Sequence, residues 1–249
     1  MVGVILAAGQ GKRLRPLTAR QPKPMVGVAG QPFLAHLIER FRYADVREIV
    51  LVVGYYAWRI WQYFNTGARW DVSLHYVYQL KLNGTAPATL LAEHYTGNEP
   101  FMLTWGDVVT HPEHYRKIRM RFDELNCDML MAVNLVEDIS KGASVCFTED
   151  GRVVSVVEKP PLESAPSQWN QAGLFVAKPV LFQYLRNVPL SPRGEYEFTS
   201  AVSAMIEEGC DVRAYCIGAD TWEIGTTGSL QRAERALIHM RTTFDSTMS

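Results

Sequence analysis

The sequence contains no apolar run of about 18 residues, the length that spans a bilayer, and its opening residues lack the basic segment and apolar stretch of a secretory leader. Neither membrane insertion nor export is expected. Charge of one sign is not in excess, with 25 Lys and Arg against 26 Asp and Glu. Nucleic acid and anionic membranes are therefore not expected partners, and any polyanion must be gripped locally. Cysteine is scarce. Cys127, Cys146, Cys210 and Cys216 show no C-x-x-C spacing and lie in or beside apolar stretches, which predicts reduced core thiols and a cytoplasmic location. Internal repeats, low-complexity tracts and a long Gly/Ser linker are also missing, so one domain is expected over 1–241, with a polar tail at 242–249.

What is present is an ordinary globular composition, 47% hydrophobic and 20% charged. Val2 to Ala8 is a short apolar run ending at Gly9, the pattern of a buried parallel strand that leads into a glycine-rich turn. A helical stripe of Phe33, Leu34, Leu37, Ile38 and Phe41 follows. Then come a strand at Glu48 to Val53, an aromatic helix at Ala57 to Phe64, a strand at Ser73 to Tyr78, a helix at Ala86 to Tyr95 and a strand at Phe101 to Trp105. This alternation predicts a Rossmann-like, doubly wound α/β sheet with helices on both faces, whose ligands gather at the carboxyl ends of strands.

The second half reads as mixed. Strands are expected at Asp128 to Asn134, Ser144 to Phe147, Val153 to Val157, Ala172 to Ala177 and Asp211 to Cys216, with a hairpin turn at Glu149 to Arg152. Helices are expected from near Glu195 and from Ser229 to Met240. The aromatics Trp58, Trp61, Tyr63 and Phe64 suit core or subunit contact better than a stacking platform. His111 and His114 are spaced by three within His-Pro-Glu-His, which is not a zinc-protease pattern, so a surface or capping role is expected.

Chemistry concentrates in Gly9-Gln10-Gly11-Lys12-Arg13-Leu14-Arg15-Pro16-Leu17-Thr18, followed by Pro22-Lys23-Pro24. Glycines after a strand let backbone N–H groups approach an anion, and Arg13, Arg15 and Lys23 add charge-assisted bonds to phosphate oxygens. Neither the P-loop nor the dinucleotide fingerprint is satisfied, since Leu14 stands where the latter needs glycine. A Gly-x-Gly pair alone is equally the mark of a plain strand-to-helix turn.

The full string resembles the signature of sugar-1-phosphate nucleotidylyltransferases, the sugar-nucleotide pyrophosphorylases, in which G-x-G-x-R-L-x-P-x-T precedes P-K-P. Further matches follow in order at Gly84-Thr85-Ala86, Gly106-Asp107, Gly142, Val157-Glu158-Lys159-Pro160, Ala172-Gly173-Leu174-Phe175 and Glu223-Ile224-Gly225-Thr226. The resemblance runs from Val2 to Leu237 and is to the short form, without a β-helix domain. It implies a nucleotide-diphospho-sugar transferase-like fold, with a nucleotide-binding half at about 1–126 and a sugar-phosphate-binding half at about 127–241. The implied reaction is in-line attack of a sugar 1-phosphate on the α-phosphorus of a nucleoside triphosphate, with Mg²⁺ as cofactor, giving an NDP-sugar and pyrophosphate.

The resemblance also implies roles. Arg13 holds the triphosphate and leaving pyrophosphate, Lys23 bridges the two phosphates, and Lys159 pairs with the sugar phosphate. Leu6, Ala7, Gly9 and Gly11 line one side of the nucleotide, with Gln79, Gly84 and Thr85 on the other. Gly142, Glu158 and Gln171 face the sugar. Asp107 is the first metal ligand and Glu223 the second, although the family usually has Asp there. The residue before Ala172-Gly173 is usually Asn, so Gln171 is the aligned candidate and Asn170 its neighbour. Thr199 fits either a helix cap or a sugar-binding edge. Many relatives self-associate, so a homo-oligomer stays open. The competing readings are a catalytically weak NDP-sugar-binding regulator and a cytidylyltransferase acting on an alditol phosphate.

Overall fold

The computed structural model describes residues 1–247, with side chains through residue 240. In chain order its first half holds β1 (Val2–Ala7), the short pair β2 (Gly27–Val28) and β3 (Gln31–Pro32), α1 (Phe33–Tyr43), β4 (Glu48–Val53), α2 (Ala57–Phe64), β5 (Ser73–Tyr78), α3 (Thr85–Leu90), α4 (Glu93–Thr96) and β6 (Phe101–Trp105). There follow β7 (Val108–Thr110), α5 (Pro112–Leu125), β8 (Met129–Leu135), β9 (Ala143–Phe147), β10 (Val153–Glu158), β11 (Trp169–Ala177), α6 (Leu181–Arg186), α7 (Phe198–Glu207), β12 (Val212–Cys216), β13 (Thr221–Glu223) and α8 (Thr227–Thr247).

Successive side chains of a strand point to opposite faces, so the apolar runs of β1, β4, β6 and β8 feed two cores at once. Ile5, Ile49, Leu51, Met102 and Leu130 pack with α1, α2, α5 and α8 on one face. Val4, Val50, Val52, Leu103 and Met131 pack with α3, α6 and α7 on the other. Both faces are covered, as the alternation predicts.

Nine of these strands form one sheet, and β2–β3 and β7–β13 form two separate pairs. β5, β4, β1 and β6 run parallel in that order; β11 lies antiparallel to β6, β8 antiparallel to β11, and β12 parallel to β8. The antiparallel β9 and β10 join the start of β11 where Asn170 pairs with Ser144. From β1 the chain first winds outward through β4 and β5, then returns to β6 on the other side. The strand order therefore reverses between β1 and β6, the place where open α/β sheets bind ligands.

Several features differ from the sequence reading. The expected helix over 86–95 is broken into α3 and α4, and α7 starts at Phe198 instead of near Glu195. The chain also forms α5, α6, β7 and β13, none of which the apolar pattern announces. Half of α5 is charged, with a thin stripe of Tyr115, Ile118 and Phe122 facing the core, and its ends are marked by Pro112 and by Asn126 in the left-handed region. α8 continues to Thr247 where the reading stops it at Met240, and 248–249, the end of the expected tail, lie outside the described residues. All four cysteines are free, but only Cys127 is buried and Cys216 is exposed, so the expectation of four core thiols is corrected. No helix among the described residues is long and apolar enough to cross a membrane.

Candidate active site

The glycine-rich loop leaves β1 and is anchored from beneath. Gly11 adopts φ 62°, the left-handed region that favours glycine, and opens a single 3₁₀ turn over Lys12–Leu14. Leu14 and Thr18 are buried, and the Thr18 hydroxyl donates to Gly11 O at 2.7 Å. Arg13 is left on the exposed side of this turn. A second 3₁₀ turn, Lys23–Met25, brings Lys23 back under the loop, where Nζ meets Asp107 Oδ2 at 2.5 Å. Only 10% of the Lys23 side chain is exposed, against 38% for Asp107. Gly106 sets that approach, because a Cβ there would lie 2.4 Å from Leu6 O.

Between the ends of β1 and β6 opens a cavity of about 310 Å³. Leu6, Gly9, Lys23, Gln79, Gly84, Thr85 and Asp107 all line it, which gathers most of the expected nucleotide set. The Ala7 side chain instead packs into the core, and Ala8 takes the wall. Gly11 and Arg13 sit on the loop outside these walls. Gln79 Nε2 donates to Gly84 O at 3.1 Å. Gly84 has φ 140°, and a Cβ there would stand 2.1 Å from Tyr196 O. The Thr85 hydroxyl accepts the N–H of Phe198 at 2.9 Å, so it caps the first turn of α7. Leu82, Trp105 and Glu195 also line the cavity, and the sequence reading missed them. Trp105 is seated against Gly173, whose φ of 72° and missing Cβ leave room for the indole, and it packs edge-on to Phe198 at 5.1 Å.

A second cavity of about 250 Å³ is lined by Gly142, Gln171 with its neighbour Asn170, and Glu223 among the expected residues, and by Asn134, Asp138, Lys141 and Thr221 among those not expected. β13 pairs with β7 so that Glu223 stands opposite Val108, and Ile224 N donates to Asp107 O at 3.0 Å. The two expected metal ligands thus sit on adjoining segments, one facing each cavity. Gly142 lets Asn170 approach closely, since a Cβ would lie 2.0 Å from Asn170 Oδ1 and displace that amide. Asn170 itself is spent on structure: Oδ1 accepts Ala143 N at 3.0 Å and Nδ2 donates to Asn134 Oδ1 at 3.1 Å.

Glu158 and Lys159 end β10 beside these cavities without lining them. Lys159 has φ 43°, unusual for a non-glycine residue, and its N–H donates to Gly142 O at 2.7 Å. Burial pushes the Glu158 carboxyl above its usual range, against the opposing pull of Lys159 and Arg193. Arg193 also pairs with Glu197 and so ties the 191–197 loop to β10. Only the Pro192-Arg193-Gly194 turn hints at it in sequence. Thr199 is buried within the start of α7, whose capping position is Glu197. His111 caps α5 by accepting Glu113 N, in line with the surface or capping expectation.

No group of three or more His, Cys, Asp or Glu able to hold a metal gathers among the described residues. Asp107 and Glu223 are both oxygen donors, the kind of ligand that a hard divalent cation takes together with phosphate and water.

A crevice at the reversal point of the sheet, roofed by a glycine-rich loop and holding a buried lysine against a carboxylate, defines a nucleotide-handling α/β transferase. The chain belongs to the nucleotidyl transferase family, whose model matches residues 2–239. It is 34% identical over 239 residues to the UTP–glucose-1-phosphate uridylyltransferase AglF of Haloferax volcanii, a match covering 95% of this chain and 96% of AglF. It is 33% identical over 210 residues to the bifunctional protein GlmU of Methanococcus maripaludis, covering 84% of this chain and about half, 48%, of GlmU. In fold it is similar to UDP-glucose pyrophosphorylase complexed with UDP-glucose, with a TM-score of 0.87, 24% identity and coverage of 95% and 98% of the two chains.

Proposed function

We propose that this chain transfers a nucleotidyl group from a nucleoside triphosphate to a sugar 1-phosphate. The observation that carries the reading is the Lys23–Asp107 contact under the glycine-rich loop, at the point where the sheet order reverses. The triphosphate takes the first cavity, against Leu6, Ala8 and Gly9 on one side and Gln79, Gly84 and Thr85 on the other. The sugar phosphate takes the second, against Gly142 and Gln171, with Glu158 and Lys159 reaching it from the end of β10 beside that cavity. The 1–126 and 127–241 halves of a single domain at 1–241 divide the work in this way.

A sugar-phosphate oxygen attacks the α-phosphorus in line, the bond to the bridging oxygen breaks, and its electron pair departs with pyrophosphate. Such transfers are accelerated by positioning and by neutralising charge on phosphate oxygens. Lys23 leaves Asp107 to sit between the two phosphates, Arg13 closes from the loop onto the leaving pyrophosphate, and Lys159 holds the sugar phosphate. Mg²⁺ held by Asp107 and Glu223 would supply further charge neutralisation when bound.

The test is pyrophosphate release from the common nucleoside triphosphates against a panel of sugar 1-phosphates, with and without Mg²⁺. UTP with glucose 1-phosphate, the pair in the AglF name, is the first to assay. The wild type releases pyrophosphate with at least one pair, and Lys23→Ala lowers kcat by roughly 100- to 1,000-fold. Chelation stops turnover and leaves the thermal midpoint unchanged, because Asp107 already has a partner in Lys23. No release across the panel with metal present would refute the reading.

A further inference from the structure

β5 is a bare edge of the sheet. Among the described residues it pairs with β4 alone. Ser73 N and Gln79 N donate toward β4, to Arg47 O and Val53 O, so the even-numbered amides between them face away from the sheet. Leu74 N is taken by Thr66 O at 2.9 Å, whereas the amides of Tyr76 and Tyr78 have no partner among the described residues. Such edges invite pairing with another chain, and folds usually blunt them with Lys, Pro or a bulge. β5 has none of these, since it reads Ser-Leu-His-Tyr-Val-Tyr and its register with β4 runs unbroken from Ser73 to Tyr78. The other edges are guarded. The register of β10 shifts between Val153 and Ser155, and β12 carries Arg213, held by Asp150 and Asp211.

Beside the bare edge lies apolar surface that the fold does not cover. Ile60 and Phe64 turn the inner face of α2 to the core. At 100° per residue, Trp58 and Trp61 then fall on one flank and Tyr63 on the other, where it packs against Trp70. Trp70 sits on a turn that touches α1, so the flank of Trp58 and Trp61 looks outward along β5. Trp58, Trp61 and Tyr78 are each more than half exposed, and Leu80 is 86% exposed. These four side chains leave on the order of 500 Å² open to solvent, more than half of the ~800 Å² that one partner of a standard interface buries.

We infer that two copies of this chain join edge to edge through β5, about a two-fold axis beside Val77. Antiparallel pairing there sets Tyr76 opposite the partner's Tyr78. Each such pair exchanges two N–H···O bonds, which satisfies the bare amides of both copies. The aromatic flanks of the two α2 helices come together across the same axis. A second copy fits better than an unrelated protein because the edge is self-complementary, the condition for a closed two-fold interface. The pairing uses no residue of either cavity, and the inference stands apart from the proposed transfer activity.

Sedimentation equilibrium of the full chain should give at least twice its 28.1 kDa. Tyr78→Pro removes an outward-facing donor and spares the β4 ladder, a change that edge strands tolerate. Trp61→Glu sets a charge in the apolar surface. Each should raise the dissociation constant between copies at least about 30-fold, the weight of a hot-spot side chain, while circular dichroism stays that of the folded chain. Met120→Glu, at an exposed apolar residue of α5, should leave the mass unchanged. Val77 would face the partner's Val77 with about 4.5 Å between Cα atoms, so Val77→Cys in a Cys216→Ser background should form an intermolecular disulfide in oxidised glutathione. A monomeric wild type, whatever else covers the patch, would overturn the inference. So would an unchanged dissociation constant in either folded variant, or a dimer that gives no disulfide at this position. If Tyr78→Pro does not fold, Trp61→Glu and the disulfide decide.

Discussion

Two titrating side chains make the residue scale testable. Burial raises the Glu158 carboxyl above its ordinary value of 4.5, so the folded state holds its proton more tightly than the unfolded chain does. Stability therefore falls as pH rises from about 4.5 through the folded value. Glu158→Gln should gain midpoint over wild type as pH rises through that window, while its turnover with sugar 1-phosphate drops; thermal scans from pH 4 to 7 check the sign. His114 behaves oppositely. Burial lowers its pKa below 6.5, against the pull of Asp220. Its neutral form favours folding above that value, and the benefit is lost as pH falls through the folded pKa. Melting curves at pH 7.5 and 5.5 should show a smaller acid loss in His114→Gln than in wild type.

At the scale of elements, α1 and the 83–86 segment separate packing from function. Leu37→Ala removes a fully buried side chain that lines neither cavity and should cost about 2–5 kcal/mol by denaturant titration, with nucleotide affinity unchanged. Gly84→Ala places a Cβ against the Tyr196 carbonyl at φ 140° and should lose about 1–3 kcal/mol as well as nucleotide affinity. What could be read beforehand follows the same division. β1, β4 and β6 were legible because each is a mainly apolar run, β5 because it is rich in Tyr and Val, and Lys23 and Asp107 because each sits within a recognisable string. β13, only three residues long, carries too little periodicity to be seen, yet it delivers both Glu223 and Thr221. α5 hides in its charge. Trp105, Arg193 and Glu195 reach the site by contacts between distant segments, which no local pattern encodes.

For the whole molecule, the decisive feature is that β11, from the second half of the chain, completes the edge of β6 from the first. Leu174, Val176 and Leu237 share a core with Ile5 and Leu51. A fragment of residues 1–126 therefore leaves a bare strand edge and an open core, and should show no cooperative unfolding by circular dichroism, whereas the full chain unfolds in one transition. The seat that Gly173 makes for Trp105 has an optical consequence. Of the six tryptophans, Trp58 and Trp61 lie at the solvent-facing side of α2, while Trp105 forms a wall of the first cavity. Its emission should respond when a nucleotide displaces water from the indole face, and Trp105→Phe should abolish the response, which makes the protein its own fluorescent reporter of occupancy.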